Sequence, residues 1–385
     1  MKESLNILVI TTMPFPSGAA SVNRIISYSK GLVELGTKIT VLSTNIGNLD
    51  YDFIDGIKFK SLQTKYKKTR YRTLNFIVSL MRLLYNTVSI KEKFNSIILV
   101  SNSLALIYPL FILCKIFGIK FIQEKSEYPF VLKNKSILGK SYAKFYVSTT
   151  YKLFDGLIIM TNPLYEYLER KVRNNCKLII VPMTVDVSRF ASIPESNELG
   201  DYIAYCGDVG GDKDGVKNLI HAFSMIEHKY PTLRLLLIGG TKNVEELNQL
   251  MQYNKSLKTH NICFYGNVDR NKIPALLVNS KILALARPSS LQSKGGFPTK
   301  LGEYLSTGKP VVVTKVGDIP LYLKDQKNAF LVEPDDNLEF ANKMSYILDN
   351  YDLGLEVAKE GKKLTETIFN YKIQAMRIQN FLYSL

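Results

Sequence analysis

Short apolar runs alternate with helical periodicity along most of the chain. In the first half, Ile7–Thr11, Lys38–Ser43, Ser96–Val100, Lys120–Gln123, Gly156–Met160 and Lys177–Val181 read as buried strands. Val22, Ile25, Ile26, Leu32 and Val33 mark one face of a helix that stops at Gly36. Residues 183–200 change character: Pro194, Glu195, Ser196, Asn197 and Gly200 make a polar, turn-rich linker. Strands then resume at Tyr202–Tyr205, Arg234–Ile238, Ile262–Tyr265, Ile282–Ala286, Val311–Thr314 and Ala329–Val332, with a helix face at Val216, Leu219, Ile220 and Phe223. Buried β-rich runs separated by helices predict parallel, doubly wound sheets. The expected fold class is α/β, with two Rossmann-like domains, residues 1–186 and 187–369, facing across a cleft at the carboxyl edges of their strands. Ile373, Met376, Ile378, Phe381 and Leu382 predict a terminal helix within residues 370–385 that packs back on the first domain.

The stretch Arg287 to Thr314 is the most informative chemically. It leaves a buried strand, crosses a glycine-rich loop, enters a short helix near Thr299 and returns to a buried strand. Such loops bind phosphorylated ligands, because free backbone N–H groups point outward there. Gly295 and Gly296 permit close approach of a ligand. Lys300 and Glu303 are spaced i, i+3, so both project from one face of the helix. A cation for phosphate beside a carboxylate for sugar hydroxyls suggests a nucleotide-sugar site. The plainer alternative is an exposed Lys300–Glu303 pair worth about 0.2–0.5 kcal/mol.

Three other loops carry candidate chemistry. Cys206 to Val216 follows a strand and leads into a helix, with Asp214 placed to serve as N-cap and Lys213 near the positive helix end. Met13 to Arg24 holds a lone Gly18 rather than GxGxxG, which argues against a nicotinamide cofactor; Arg24 faces either the cleft or the solvent. Gln123 to Pro129 carries Glu124 and Glu127, which either bind an acceptor hydroxyl or make surface ion pairs. The first half has no histidine, so a histidine general base is excluded there.

Charge sharpens the picture. Of the +16 formal charge on the 385 residues, residues 1–186 hold 26 Lys and Arg against 12 Asp and Glu, and residues 187–385 hold 24 against 22. Nearly all the excess lies in the first half, which implies an anionic partner or a solubilising surface. Lys65, Lys67, Lys68, Arg70 and Arg72 precede the apolar Leu74, Phe76, Ile77, Leu80, Leu83 and Leu84, a pattern that suits either anionic lipid headgroups or a core helix with a basic loop before it. The four cysteines are far apart and the three histidines lack ligand spacing, so no metal site is expected; Cys206 and Cys263 read as small core residues. No signal peptide is visible, and the run Leu104 to Cys114 is too short to span a membrane and reads as a core helix.

The second half resembles the donor-binding domain of glycosyltransferase family 4, which has the GT-B fold. That family shows Glu-Gly-Phe-Gly, four residues, then a second Glu. Gly296-Phe297 match the Gly-Phe and Glu303 the second Glu, whereas Gly295 replaces the first Glu and Pro298 the following Gly. The resemblance implies a ribose contact for Glu303 and leaves the donor sugar open. Residues 297–305 resemble a bacterial subgroup that builds surface polysaccharides. Lys213 corresponds to a lysine against the donor diphosphate, and Asp208 stands where Arg is usual; Arg287 or Lys300 could supply that cation, though Arg287 reads equally as a surface residue. Tyr265-Gly-Asn267-Val268 resembles the strand end near the nucleotide base, Gly239-Gly240 the glycine-rich turn, and Gly18 with Ala19 the loop that approaches the sugar phosphates.

The implied activity is retaining transfer of a sugar from a nucleotide diphosphate sugar to an acceptor hydroxyl. Lys213, Lys300 and Glu127 are the catalytic candidates. Gly207, Asp208, Lys213, Gly239, Asn267, Val268, Arg287, Gly295, Gly296, Phe297, Pro298, Thr299, Lys300 and Glu303 are the donor-binding candidates; Gly18, Ala19, Arg24 and Glu124 are those for the acceptor and phosphates. No cofactor or metal is expected. The expected partners are a nucleotide-sugar donor, a saccharide or lipid-linked saccharide acceptor and an anionic membrane surface, with a peripheral position on the cytoplasmic membrane face. Nucleic acid is not expected, for no binding module for it is present. The rival readings are a non-catalytic nucleotide-sugar-binding subunit and a GT-B nucleotide-sugar epimerase.

Overall fold

The computed structural model describes residues 4–16, 20–63, 81–83, 85, 93–129, 136–241 and 243–385. The chain forms two compact units, Met1–Thr184 with Tyr371–Leu385, and Val185–Asn370.

The first unit is built on β1 (Asn6–Thr11), β2 (Lys38–Ile46), β3 (Asp52–Ile54), β4 (Ile57–Gln63), β5 (Ser96–Val100), β6 (Lys120–Lys125), β7 (Gly156–Ile159) and β8 (Lys177–Ile180). Their order is β3-β4-β2-β1-β5-β6-β7-β8. Every pairing is parallel except β3 with β4. Side chains alternate between faces, so each strand feeds two apolar layers. Leu8 and Ile10 join one layer with Ile97, Leu99, Leu157 and Ile159. Ile7 and Val9 join the other with Ile98, Ile122 and Ile158.

The hairpin β3–β4 is absent from the sequence reading. In β4 the buried Ile57 and Phe59 alternate with Lys58 and Lys60, whose ammonium groups lie 4.2 and 4.3 Å from the Tyr51 ring centroid. Two lysines on one face disguise a half-buried strand as a basic loop. The apolar run from Leu104 forms the helix Leu104–Phe117, with Leu106, Ile107, Leu110, Leu113 and Cys114 buried. Among the described residues, no helix is long and apolar enough to cross a membrane. The helix Tyr371–Ser384 closes the second layer, where Ala375, Ile378, Phe381 and Leu382 pack with Ile25 and Ile26. The basic stretch Lys65, Lys67, Lys68, Arg70 and Arg72 lies outside the described residues, as do Gly18 and Ala19.

The second unit holds β9 (Tyr202–Cys206), β10 (Arg234–Ile238), β11 (Ile262–Gly266), β12 (Ile282–Leu285), β13 (Val311–Thr314) and β14 (Phe330–Val332) in the order β11-β10-β9-β12-β13-β14. All its ladders are parallel. The chain builds outward from β9 through β10 and β11, then returns to β12 on the other side. A parallel α/β sheet opens its ligand crevice where the winding reverses, here outside the carboxyl ends of β9 and β12. Cys206 and Cys263 are half-buried rather than core residues; Cys114 and Cys176 are the buried pair of thiols.

Candidate functional site

The reversal point gathers the side chains expected to act on a donor. The helix Lys300–Thr307 begins there, and Tyr304 fastens it to β9: the Cys206 N–H donates to the Tyr304 hydroxyl at 2.7 Å. Lys300 lies one turn before Tyr304 on the same helix face. Its ammonium donates to Asp214 Oδ2 at 2.5 Å and to the Tyr205 hydroxyl at 3.0 Å. The Tyr205 hydroxyl donates onward to the Asp208 carbonyl at 2.8 Å. Arg287, the second residue past β12, is fully buried with its Nε 3.6 Å from Asp214 Oδ1. Its guanidinium also reaches the carbonyls of Lys213 and Gly296, each at 3.5 Å.

Asp214 thus sits between two cations. Burial pushes its carboxyl upward, but Lys300 and Arg287 outweigh that and hold it below the usual carboxylate range. It is not the N-cap expected of it: Gly215, at φ 68°, caps the helix Val216–Ser224. Lys213 is exposed on the short 3-10 turn Asp212–Asp214. With one carboxylate between Lys300 and Arg287, this buried part of the site keeps a net positive charge suited to a diphosphate, while Lys213 lies beside Asp212 on the turn.

Glu303 turns to a different partner. Arg189, on the 3-10 turn Val187–Phe190, donates to Glu303 Oε1 at 2.5 Å and to the Arg270 carbonyl at 3.2 Å. Lys300 and Glu303 therefore do not form the i, i+3 pair that their spacing allows. Burial, with Glu303 adding to it, pushes the Cys206 thiol up to about 12, so it stays a protonated thiol.

The loop glycines set the spacing of these groups. A Cβ on Gly207 would lie 2.0 Å from the Lys300 ammonium nitrogen. Gly239, at φ 122°, approaches Gly207 so closely that a Cβ there would lie 2.0 Å from the Gly207 carbonyl oxygen. Asp208 is exposed and accepts from the Gly210 N–H at 3.2 Å.

Residues 200–350 match the family Glycosyl transferases group 1.

The group 1 match covers the whole cluster except Arg189. A trehalose phosphorylase of Grifola frondosa is 38% identical over 63 residues, which are 16% of this chain and 9% of that protein's length. Two solved structures superpose over almost the entire chain. Sucrose-phosphate synthase from Thermosynechococcus elongatus has a TM-score of 0.78 at 16% identity, covering 99% of this chain and 98% of its own. Anabaena Alr3699/HepE in complex with UDP-glucose has a TM-score of 0.74 at 14% identity, covering 98% and 100%. The chain has the GT-B fold, two parallel-sheet α/β domains.

Within the group 1 segment, several candidates belong to the scaffold around the cluster. Gly295 ends the short helix Leu291–Gly295, which the sequence reading took for open loop, and the Gly296 N–H caps it by donating to the Gln292 carbonyl at 3.1 Å. A Ser290–Ser293 capping box starts that helix. The Phe297 ring is buried against Tyr322 and Phe369, at centroid distances of 5.6 and 5.8 Å. Pro298 is buried, and Thr299 is the N-cap residue of the helix that carries Lys300. Asn267 is exposed beside Gly240, and Val268 is half-buried.

In the first unit, Arg24 and Glu124 meet each other. Glu124 belongs to β6, not to the loop after it, and both residues are buried. Arg24 Nε donates to Glu124 Oε1 at 2.7 Å, and its two Nη atoms donate to the Pro182 and Val181 carbonyls at 2.6 and 2.7 Å. Arg24 is thus buried inside the first unit rather than facing solvent, and Glu124 makes no surface pair. Glu127 is half-buried just past β6. Beside it Lys125, buried, donates to Asn102 Oδ1 at 2.6 Å. Sequence reasoning missed Arg189, Tyr205, Tyr304 and Lys125, and assigned Asp214 another task.

Proposed function

We propose that the chain is a retaining glycosyltransferase that moves a sugar from a nucleotide diphosphate sugar to an acceptor hydroxyl, without a metal. The observation that carries this reading is the placement of Lys300 and Glu303 on one helix at the β9–β12 reversal, inside the group 1 segment. The leaving group is a nucleoside diphosphate, and its growing negative charge needs fixed positive charge close by. Lys300, already oriented by Asp214 and Tyr205, faces that charge, with Arg287 behind Asp214 and Lys213 at the rim. Glu303 takes the ribose hydroxyls, exchanging part of its contact with Arg189 for them. The departing phosphate receives the acceptor proton, so no histidine base is needed. The HepE structure with UDP-glucose makes a uridine nucleotide the first donor to try.

The acceptor in this reading is a lipid-linked saccharide at the cytoplasmic membrane face, in the assembly of a surface polysaccharide. The excess of 26 basic over 12 acidic residues in residues 1–186 supports it.

Thermal-shift and calorimetric titration against UDP-, GDP-, ADP- and TDP-sugars tests the donor site, with Glu303→Ala as control. One tight donor, lost in the variant, is expected. No binding by any of the four would overturn the reading. Binding with no turnover on any lipid-linked or free saccharide would turn the assignment to a nucleotide-sugar-binding subunit.

A further inference from the structure

We infer that the outer faces of the helices Leu104–Phe117 and Ile137–Thr150 form a surface that docks on anionic lipid headgroups. The inference rests on the reading of a membrane-borne acceptor, and it names the part of the first unit that touches the bilayer.

The two helices are neighbours on one side of the first sheet. Leu106, Ile107, Leu110, Leu113 and Cys114 of one and Tyr146 of the other enter the same apolar layer. The Tyr108 hydroxyl donates to Thr149 Oγ1 at 3.2 Å between them. With their inner faces so engaged, their outer faces should be polar in a protein surrounded only by water. They are not. Ile112, Ile116 and Phe117 are 57%, 70% and 56% exposed on the first helix, and Tyr142 and Phe145 are 46% and 51% exposed on the second. Ile112 and Ile116 are one turn apart, as are Tyr142 and Phe145, so each pair forms a stripe along its helix.

The charges on these helices decide the occupant. Neither helix contains an Asp or Glu, and together they carry Lys115, Lys140 and Lys144. Lys140 and Lys144 are exposed beside the aromatic stripe. Lys115 shares Asp155 with Arg173, yet its side chain stays 48% exposed. A protein partner's apolar patch does not call for helices that carry lysines and no acid of their own. A lipid surface does: branched and aromatic side chains enter the acyl boundary, while lysines reach back to phosphates on their long stems. Tyrosine and phenylalanine suit the headgroup level, and both helices are too short to cross the bilayer. They would therefore lie in the plane of the interface.

Vesicle flotation of the full chain tests this, with phosphatidylcholine vesicles and with vesicles holding about one-third phosphatidylglycerol. The chain is expected on the anionic vesicles and to be released by salt. The variant Ile112→Ser/Ile116→Ser/Phe145→Ser is expected to bind about tenfold or more weakly, since three apolar insertions are lost, with its donor titration unchanged. Lys140→Glu/Lys144→Glu touches only exposed side chains and should weaken binding as well, so it keeps the test open if the serine variant unfolds. If the unaltered chain floats with neither vesicle, this face and the membrane-borne acceptor both fall, while the donor reading stands. If it floats and both variants float equally well, this face alone is overturned; loss in Lys67→Glu/Lys68→Glu/Arg70→Glu would then assign binding to the basic stretch.

Discussion

Asp214 sits between two cations of its own unit, and both depend on it. Lys300 is 2.5 Å away and the fully buried Arg287 3.6 Å. Replacing one cation leaves a carboxylate with the other; replacing the carboxylate leaves two cations facing each other. Asp214→Ala is therefore expected to destabilise by about 3–5 kcal/mol, in the range for breaking a buried ion pair. Lys300→Ala should lose only about 2 kcal/mol, chiefly its charge-assisted hydrogen bond to Asp214, with the longer one to Tyr205 adding little. Chemical denaturation at pH 7 checks the order, and equal losses would deny Asp214 its central place. The Asp214 carboxyl is depressed in the folded state, so its contribution is complete above the ordinary carboxylate range and fades as pH falls through the lower native value.

Lys125 gives a prediction of opposite use. Burial pushes its ammonium down to about 8, with Glu124 and Glu127 opposing. Below that pH it is charged in both folded and unfolded chains, and the folded chain bears a buried cation. Between pH 8 and about 10.4 the folded chain releases the proton first, so stability rises with pH across that window. Lys125→Met is expected to be more stable than the natural chain at pH 7 by about 3 kcal/mol, with the difference falling below about 1 kcal/mol near pH 10. Urea midpoints of both proteins at pH 7, 8, 9 and 10 decide it; a difference independent of pH would contradict the assignment.

At the scale of elements, strands buried on both faces were legible because nothing polar interrupts them. All six residues of β1 are buried, and β9, β12, β13 and β14 are nearly as apolar. The hairpin β3–β4 was not legible, since its lysines cover an aromatic ring instead of marking a loop. The site followed the same logic. Lys300 and Glu303 stand out locally, in a glycine-rich loop that opens a helix. Their partners do not: Asp214 lies 86 residues from Lys300, and Arg189 lies 114 from Glu303. Arg24 and Glu124 are 100 residues apart, and only the sheet brings them together. The packing of the last helix rests on one small residue that no local pattern singles out. A Cβ on Gly31 would lie 2.6 Å from the Ala375 Cβ and 3.0 Å from the Tyr371 carbonyl. Gly31→Leu should therefore push the helix Tyr371–Ser384 off the layer that holds Ile25 and Ile26, costing about 1–3 kcal/mol as overpacking does. Proteolysis within residues 371–385 should accelerate; an unchanged digestion pattern would refute the close contact.

At the scale of the whole molecule, the chain is a first unit interrupted by a second. The second unit begins at Val185 and ends at Asn370, and those two residues pair in a parallel bridge, with the Val185 N–H donating to the Phe369 carbonyl at 2.9 Å. Its ends are thus adjacent, and it holds its own sheet, its own ring cluster of Phe297, Tyr322 and Phe369, and every residue of the Lys300–Asp214–Arg287 and Glu303–Arg189 groups. A domain with its own core and neighbouring ends is suited to fold alone. The fragment 185–370 is expected to unfold cooperatively and to bind the preferred nucleotide sugar within about fivefold of the full chain, a difference of about 1 kcal/mol. Calorimetric titration of both proteins measures it. A fragment that folds but binds a hundredfold more weakly would mean that the first unit supplies a major share of the donor contacts, and the charge balance worked out for Lys300, Arg287 and Asp214 would then describe only part of the site.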